Sequence, residues 1–154
     1  VGVMQQKEAV FVVAPVKMKP DGSYLSIFQS LDFAILQGIT TASVSAGFHT
    51  MANGANMGYL RTVFEEVKGF EGIDAIASGD DMLLFQKIKA VYSNKIAAAH
   101  STESIVTTAT EPTLQKFIHQ RIRWASKVRL YEDKKMFGVL VLVYLLNVTM
   151  LVLM

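Results

Sequence analysis

The end of the chain is an uncharged apolar run, and this run limits what the rest of the chain can fold into. Residues 137–154 read FGVLVLVYLLNVTMLVLM, in which Asn147 and Thr149 are the clearly polar side chains. As a helix, these residues span about 27 Å, close to the thickness of a hydrocarbon core. The run therefore predicts a transmembrane helix that continues past the last residue.

A basic segment directly precedes the apolar run. Opposed only by Glu132 and Asp133, it contains seven basic side chains: Lys116, Arg121, Arg123, Lys127, Arg129, Lys134 and Lys135. Because basic residues flank membrane helices on their cytoplasmic side, we expect an inner or plasma membrane protein whose preceding domain is cytoplasmic. The net charge of +2 is too small to indicate nucleic acid as a partner. The absence of cysteine excludes a disulfide framework and thiolate metal ligands.

Strand-like and helix-like segments alternate ahead of the apolar run. Residues 9–16, AVFVVAPV, are typical of a buried strand. The apolar spacing predicts a helix over 24–37 that Gly38 ends, followed by a second strand over 42–48. Further helices are predicted over 61–69, 80–92 and 113–131, with short strands near 95–99 and 104–108. This alternation is typical of an α/β domain.

Two adjacent carboxylates, Asp80 and Asp81, stand where the helix over 80–92 begins. A helix N-terminus favours negative charge, because its first amide groups have no partner within the helix. Helix capping is therefore one interpretation of the pair. A catalytic base at the edge of a pocket is the other, and the local sequence leaves both open.

A second polar group lies in the segment HQRIRWASK. Gln120, Arg123 and Trp124 are spaced at i, i+3 and i+4, so a helix places an amide, a guanidinium and an indole on one face. Such a face suits a diphosphate and a sugar ring. A helix at a membrane surface also carries Trp and Arg, so that interpretation stays open as well.

The segment QRIRW at 120–124 resembles the Q-x-x-R-W motif of the membrane-bound family 2 glycosyltransferases, which include cellulose and hyaluronan synthases. GDD at 79–81 looks like the acidic signature of that family, and NGANMGYL at 53–60 looks like its acceptor-side loop. The motifs occur in the family's order and precede an apolar helix. From Asn53 onward, the chain thus resembles the C-terminal part of the family's catalytic domain.

The resemblance implies an α/β architecture, namely part of the Rossmann-like nucleotide-diphospho-sugar transferase fold. An interfacial helix and a transmembrane helix would follow it. On this basis we expect the acceptor-side part of a catalytic domain over 1–112. The Q-x-x-R-W interfacial helix would cover 113–136, and the start of a transmembrane helix would cover 137–154.

The resemblance also implies an enzyme that transfers a hexose, with inversion, from a nucleotide-diphosphate donor to a hydroxyl group of a glycan or lipid. Asp81 would act as the general base, and Asp80 would orient it or contact the acceptor. The donor and acceptor would be bound by Gln120, Arg121, Arg123, Trp124, Asn53, Gly54 and Asn56.

The family's metal motif, Asp-x-Asp, does not occur in this chain. We expect the motif to precede Val1, so that Mg²⁺ or Mn²⁺ would be a cofactor of the intact enzyme and this chain alone would be inactive. His49, His100 and His119 lack the spacing of metal ligands. The alternative is a non-catalytic module that binds a membrane surface. An Asp-x-Asp upstream in the complete protein would favour the enzyme.

Overall fold

The computed structural model describes residues 2–48, 51–73, 79–126 and 134–153. Six α-helices are found in these ranges: α1 Gly2–Gln6, α2 Tyr24–Ser45, α3 Arg61–Glu66, α4 Asp80–Tyr92, α5 Leu114–Ala125 and α6 Lys134–Leu153. Two 3₁₀ helices cover Ser93–Lys95 and Thr102–Ser104. The same ranges contain five strands: β1 Phe11–Val13, β2 Val16–Lys19, β3 Met57–Tyr59, β4 Ile96–Ala98 and β5 Val106–Ala109.

The described strands form two small sheets. In the first, β1 lies between β3, to which it is antiparallel, and β4, to which it is parallel. In the second, β2 and β5 are parallel. Pro15 separates β1 from β2 because it has no N–H to donate, while its carbonyl accepts the N–H of Val106 at 3.2 Å. The segment predicted as one strand over 9–16 is therefore divided between two sheets.

The prediction of a Rossmann-like α/β fold is wrong. Such a fold needs one open, mostly parallel sheet with helices on both faces. Here the described strands belong to separate sheets of three and two strands, and the longest of them has four residues, against 22 in α2. Strands and helices are interspersed along the chain, but the strands are too short and too divided to build that sheet.

Helix α2 continues through the segment predicted as a second strand. The predictions of a helix end at Gly38 and of a strand over 42–48 are both wrong, because α2 ends at Ser45 and Gly47 then takes a φ of 77°. The hydroxyl groups of Thr40 and Thr41 each donate to the carbonyl four residues earlier, at 2.9 Å. These bonds satisfy the side chains within the helix, so the strand preference of Thr does not decide the local structure.

The main hydrophobic core lies between α4 and the three-stranded sheet. Phe11 of β1 and Leu84, Phe85 and Ile88 of α4 are completely buried. The ring centroids of Phe11 and Phe85 are 5.1 Å apart. The prediction of a helix over 80–92 is confirmed, and this packing holds the first turn of that helix in place.

The predictions of a transmembrane helix and of a membrane location are wrong. Although α6 has 20 residues, no helix within the described ranges is long and apolar enough to cross a membrane. Val143 of α6 is buried and, with Tyr144, lies on the wall of a cavity that α2 also lines. Val143 therefore packs against the rest of the protein, whereas the neighbouring Leu142 and Tyr144 are exposed.

The segment 113–136, predicted as one interfacial helix, is divided in the described residues between α5, Leu114–Ala125, and the start of α6 at Lys134. Helix α5 packs against α2, with an edge-on contact between the rings of Phe28 and Phe117 at 6.0 Å. The predicted extension of this helix to Tyr131 lies outside the described residues, as do Lys127 and Arg129. Contact with α2 accounts for the aromatic residues on this face of α5 without a membrane.

Gly38 provides a test of the length of α2. It is exposed within the helix, and no atom lies within 4 Å of the position that a Cβ would take. We expect Gly38→Ala to raise the free energy of unfolding by about 0.5–1 kcal/mol, because Ala loses less backbone entropy than Gly in a helix. Urea unfolding followed by circular dichroism measures this change.

The control is Gly22→Ala, which should destabilise the protein because Gly22 has a φ of 97° in a turn. A loss of stability in Gly38→Ala similar to that in Gly22→Ala would mean that the helix ends at Gly38, contrary to the structure.

Candidate functional site

A cavity of about 780 Å³ brings together most of the residues that the sequence motifs singled out. Its wall is formed by α2, the loop over 51–57, the first turn of α4, the end of α5 and α6. The predicted site residues that line it are Asn53, Gly54, Asp80, Asp81, Arg121, Arg123 and Trp124. Gln120 and Asn56 do not line it. The cavity thus joins the acidic motif to the Arg and Trp of the second motif.

Asp81 is held in a fixed orientation at the start of α4. One carboxylate oxygen, Oδ2, accepts the N–H of Gly54 at 2.8 Å, and the other, Oδ1, accepts the N–H of Met82 at 2.8 Å. Asp81 is half-buried, whereas Asp80 is exposed. The bond to Met82 satisfies a first-turn amide of α4, and the bond to Gly54 ties the helix to the loop.

The N-cap of α4 is Gly79, which has a φ of 87° and provides no side-chain cap. Capping by the acidic pair therefore accounts for one of the two bonds that Asp81 accepts. The bond across the cavity edge to Gly54 is a tertiary contact. Asp81 can therefore cap the helix and also present an oriented carboxylate at the edge of the cavity.

The loop over 51–57 lies very close to the first turn of α4. The N–H of Ala52 donates to the sulfur of Met82 at 3.2 Å, next to the bond from Gly54 to Asp81. A Cβ at residue 54 would stand 2.8 Å from Asp81 Oδ2 and 2.9 Å from Asp81 Cβ, so only Gly fits without a shift. Asn53 turns the loop by accepting the N–H of Ala55 at 3.0 Å.

Asn56 was predicted as a binding residue, and the structure gives its side chain other contacts. Its Nδ2 donates to the carbonyl of Pro15 at 2.8 Å and to that of Ser104 at 2.7 Å. Its own carbonyl accepts the N–H of Ala14 at 3.0 Å. These bonds join the loop to the junction of β1 and β2, so Asn56 supports the cavity from outside.

The residues of the second motif differ in their surroundings. Arg123 is exposed, lines the cavity, and its guanidinium has no hydrogen bond or ion pair among the described residues. Gln120 instead donates its Nε2 to Glu111 Oε1 at 3.1 Å. Arg123 is thus the cation of the motif that a ligand in the cavity can reach.

Arg121 is engaged within the protein. Its guanidinium forms a hydrogen bond and ion pair with Asp32 of α2, a carboxylate that is 1 % exposed. Burial lowers the pKa of Arg121, while the charge of Asp32 and this hydrogen bond act in the opposite direction. Arginine nevertheless stays protonated at neutral pH, so the contact is between two charges.

Sequence reasoning missed Asp32. The apolar spacing over 24–37 predicts that apolar side chains such as Leu31 are buried, yet Leu31 is 51 % exposed while Asp32 is buried. The buried residues of α2 are mostly polar: Ser26, Gln29, Asp32, Phe33, Gln37, Thr40, Ser43 and Val44. Several of these polar residues recur at intervals of three or four, which is a helical pattern that the sequence contains. A prediction based on the apolar residues alone does not detect this polar pattern.

The described residues contain no group of three or more His, Cys, Asp or Glu side chains that could hold a metal ion. The acidic pair at the start of α4 provides two carboxylates, fewer than such a group requires. His100 lies 3.4 Å from the hydroxyl of Ser45, through its Nε2, and His49 lies outside the described residues. The cavity therefore does not itself offer a ligand set for a divalent cation.

Comparisons of the chain with protein-family models, with curated proteins and with solved structures give no match in any of the three. The likeness to family 2 glycosyltransferases therefore rests on the motifs and stays a prediction.

Gly54 provides a test of the contact between the loop and α4. We expect Gly54→Ala to lower the free energy of unfolding by about 1–3 kcal/mol, because the added Cβ overlaps a carboxylate that is held at both oxygens. The matched control is Gly58→Ala, since no atom lies within 4 Å of a Cβ at residue 58. Thermal unfolding of both variants measures the difference. Equal melting temperatures in the two variants would contradict the close approach at Gly54.

Proposed function

We propose that this chain carries the acceptor side of an inverting glycosyltransferase, which moves a sugar from a nucleotide-diphosphate donor to a hydroxyl group of a glycan or lipid. One observation carries the proposal. The GDD and Q-x-x-R-W motifs are far apart in the sequence, yet Asp80, Asp81, Arg123 and Trp124 line the same cavity. Carboxylates that face a guanidinium and an indole suit a reaction that needs a base and a site for a charged leaving group.

Asp81 is the base in this proposal. The acceptor oxygen attacks the anomeric carbon, its proton passes to the Asp81 carboxylate, and the bond from the anomeric carbon to the diphosphate breaks. The two backbone N–H groups at 2.8 Å leave each carboxylate oxygen with further acceptor capacity and restrict its rotation. A base held in one orientation is what proton transfer in the transition state requires. Asp80, which is exposed at the same helix end, orients the acceptor.

Arg123 and Trp124 bind the donor and the sugar in this proposal. The leaving nucleoside diphosphate gains negative charge as its bond to the sugar breaks, and the Arg123 guanidinium can donate two parallel hydrogen bonds to it. Trp124 is 36 % exposed, so part of its ring is open to a sugar. Arg121 also lines the cavity, but its guanidinium is bonded to Asp32, and Gln120 is bonded to Glu111 outside the lining, so both residues support Arg123 and Trp124.

A divalent cation remains part of the proposal as a cofactor of the complete protein. It would neutralise charge on the donor diphosphate. The described residues do not fit it, since they contain no group of three ligating side chains. Its ligands would come from an Asp-x-Asp that this chain does not contain, and none of the roles given above to residues of this chain includes holding it.

Replacement of Asp81 tests the base. Assayed in the complete protein, Asp81→Asn should lower the initial rate of transfer by roughly 10²- to 10⁴-fold, the usual effect of losing a placed base. Donor affinity should change little. The Asn side chain has one oxygen, so it can accept only one of the two N–H groups, from Gly54 and Met82, that the carboxylate accepts. The free energy of unfolding should therefore also fall, by about 1–3 kcal/mol. Rates are therefore measured well below the melting temperature of the variant.

The matched control is Asp80→Asn, the neighbouring exposed carboxylate, which should have a smaller effect on both rate and stability. If Asp81→Asn is less stable but its folded form keeps the specific activity of the unchanged protein, Asp81 is not the base. Its role is then only to cap α4 and to hold the loop over 51–57 against it.

Replacement of Arg123 tests the donor site. Arg123→Lys keeps the charge but loses the planar pair of donors, so donor affinity should fall roughly 10- to 100-fold, the worth of one or two charged hydrogen bonds. Calorimetry with the nucleotide sugar measures it. The control is Arg61→Lys, because Arg61 is an exposed residue that pairs with Glu65 and does not line the cavity. Equal donor affinity in the two variants would remove Arg123 from the proposal.

A further inference from the structure

The buried carboxylate of Asp32 is an unusual feature of α2. Asp32 lies in the middle of the helix, is 1 % exposed, and contacts the Arg121 guanidinium of α5. A buried carboxylate without a partner is strongly destabilising, so this ion pair ties α5 to α2. Helix α5 carries Arg123 and Trp124, and Arg121 lines the cavity with them, whereas Asp32 does not.

Arg121 contacts Trp124 as well as Asp32. The Cζ atom of Arg121 lies 4.8 Å from the ring centroid of Phe117 and 4.8 Å from that of Trp124. The guanidinium is thus placed between two aromatic rings of its own helix, each within the range of a cation–π contact. A fixed Arg121 therefore limits where the indole of Trp124 can lie.

Aromatic contacts continue this arrangement onto α2 on both sides of the ion pair. The ring centroids of Phe28 and Phe117 are 6.0 Å apart, and those of Phe33 and Trp124 are 6.2 Å apart. The ion pair of Asp32 and Arg121 lies between these two contacts in the sequence of both helices. Rotation of α5 about its axis would break all three contacts together.

A second polar contact fixes the start of α5. Gln29 is completely buried, and its side-chain amide donates to the carbonyl of Glu111 at 3.0 Å and accepts the N–H of Glu111 at 2.9 Å. The Glu111 side chain in turn accepts the Nε2 of Gln120 at 3.1 Å. One face of α2 thus contacts both the residue Glu111 that precedes α5 and the helix α5 itself.

Stability alone does not account for the ion pair. Buried ion pairs contribute little net stability, and replacement by well-packed apolar side chains is often neutral or stabilising. Here Nε of Arg121 is buried and has no partner among the described residues, so the pair is incompletely satisfied. The ion pair of Asp32 and Arg121 is costly to bury, and its hydrogen bond is directional, so it is suited to orienting α5 on α2.

We propose that Asp32 is a positioning residue of the candidate site. Through Arg121 it sets the orientation of Trp124, and with it the face of α5 that lines the cavity opposite Asp81. Asp32 does not line the cavity and takes no part in bond making or breaking. The effect on transfer rests on the proposed function, whereas the effect on Trp124 does not.

Trp124 is the only tryptophan of this chain, so its fluorescence reports its own surroundings. The variant Asp32→Leu/Arg121→Met replaces the ion pair by apolar side chains. We expect it to keep a melting temperature near that of the unchanged chain, while quenching of Trp124 by acrylamide increases roughly twofold because the cation–π contact is lost. The control is Arg61→Met/Glu65→Leu, which removes an exposed ion pair and should leave quenching unchanged.

A second variant covers the case in which the double variant does not fold. Arg121→Lys keeps the charge beside Asp32 but loses the planar guanidinium between the rings, so quenching of Trp124 should again increase. Unchanged quenching in a folded double variant, or in Arg121→Lys where the double variant does not fold, would overturn the proposal.

Kinetics in the complete protein separate positioning from the proposed function itself. With transfer present, Asp32→Leu/Arg121→Met should lower kcat roughly 10- to 100-fold, as expected when a group near the reacting atoms is misplaced. Arg121→Lys is assayed in its place where the double variant does not fold. Wild-type kcat and KM in the folded variant would overturn the role of Asp32 and leave the proposed function intact. Absence of transfer from the unchanged protein would reject the proposed function, and the fluorescence result would still decide the role of Asp32.

Discussion

The candidate site depends on a buried ion pair between two helices. Asp32 of α2 contacts Arg121 of α5, and Arg121 lies 4.8 Å from the ring centroid of Trp124. Without a partner, a carboxylate that is 1 % exposed would be strongly destabilising, so the pair fixes the relative placement of the helices. The cavity wall that carries Arg123 and Trp124 follows from that placement. Helix α2 is thus a polar support whose buried face is specified by hydrogen bonds and charge more than by apolar packing.

The cavity wall formed by the first turn of α4 is held in place by apolar packing. Phe11, Leu84, Phe85 and Ile88 are completely buried between α4 and the three-stranded sheet, so apolar packing fixes the helix whose first turn carries Asp81. The bonds from Gly54 and Met82, both at 2.8 Å, then orient the carboxylate itself. A rigid apolar core therefore supports Asp81, and a polar helix contact supports Arg123 and Trp124. The two walls would respond differently to mutation, since a cavity in the core destabilises the whole domain while a change at Asp32 acts on one helix.

Contacts with α2 change how the basic and aromatic residues of α5 are understood. Trp and Arg at a membrane surface were one interpretation of the segment. Contacts within the protein account for Trp124, Arg121 and Phe117, because each packs on α2 or on another of the three. Arg123 is different, since it is exposed at the cavity and has no partner in the described part of the chain. It is the cation of the motif that stays accessible in the cavity.

The sequence by itself determined the local elements with strong patterns and named seven of the residues that line the cavity. The helix over 80–92 follows from its apolar spacing and its acidic start, and the order of the motifs is sufficient to select Asp80, Asp81, Arg123 and Trp124. It did not determine the sheet arrangement, because strands of three or four residues pair according to contacts from distant parts of the chain. Nor did it determine that α2 passes through Gly38, since hydroxyl bonds within the helix offset the strand preference of Thr40 and Thr41. Only the tertiary structure showed that Asn56 supports the loop and that Asp32 faces Arg121, because such polar contacts join residues far apart in sequence and leave no periodic apolar pattern.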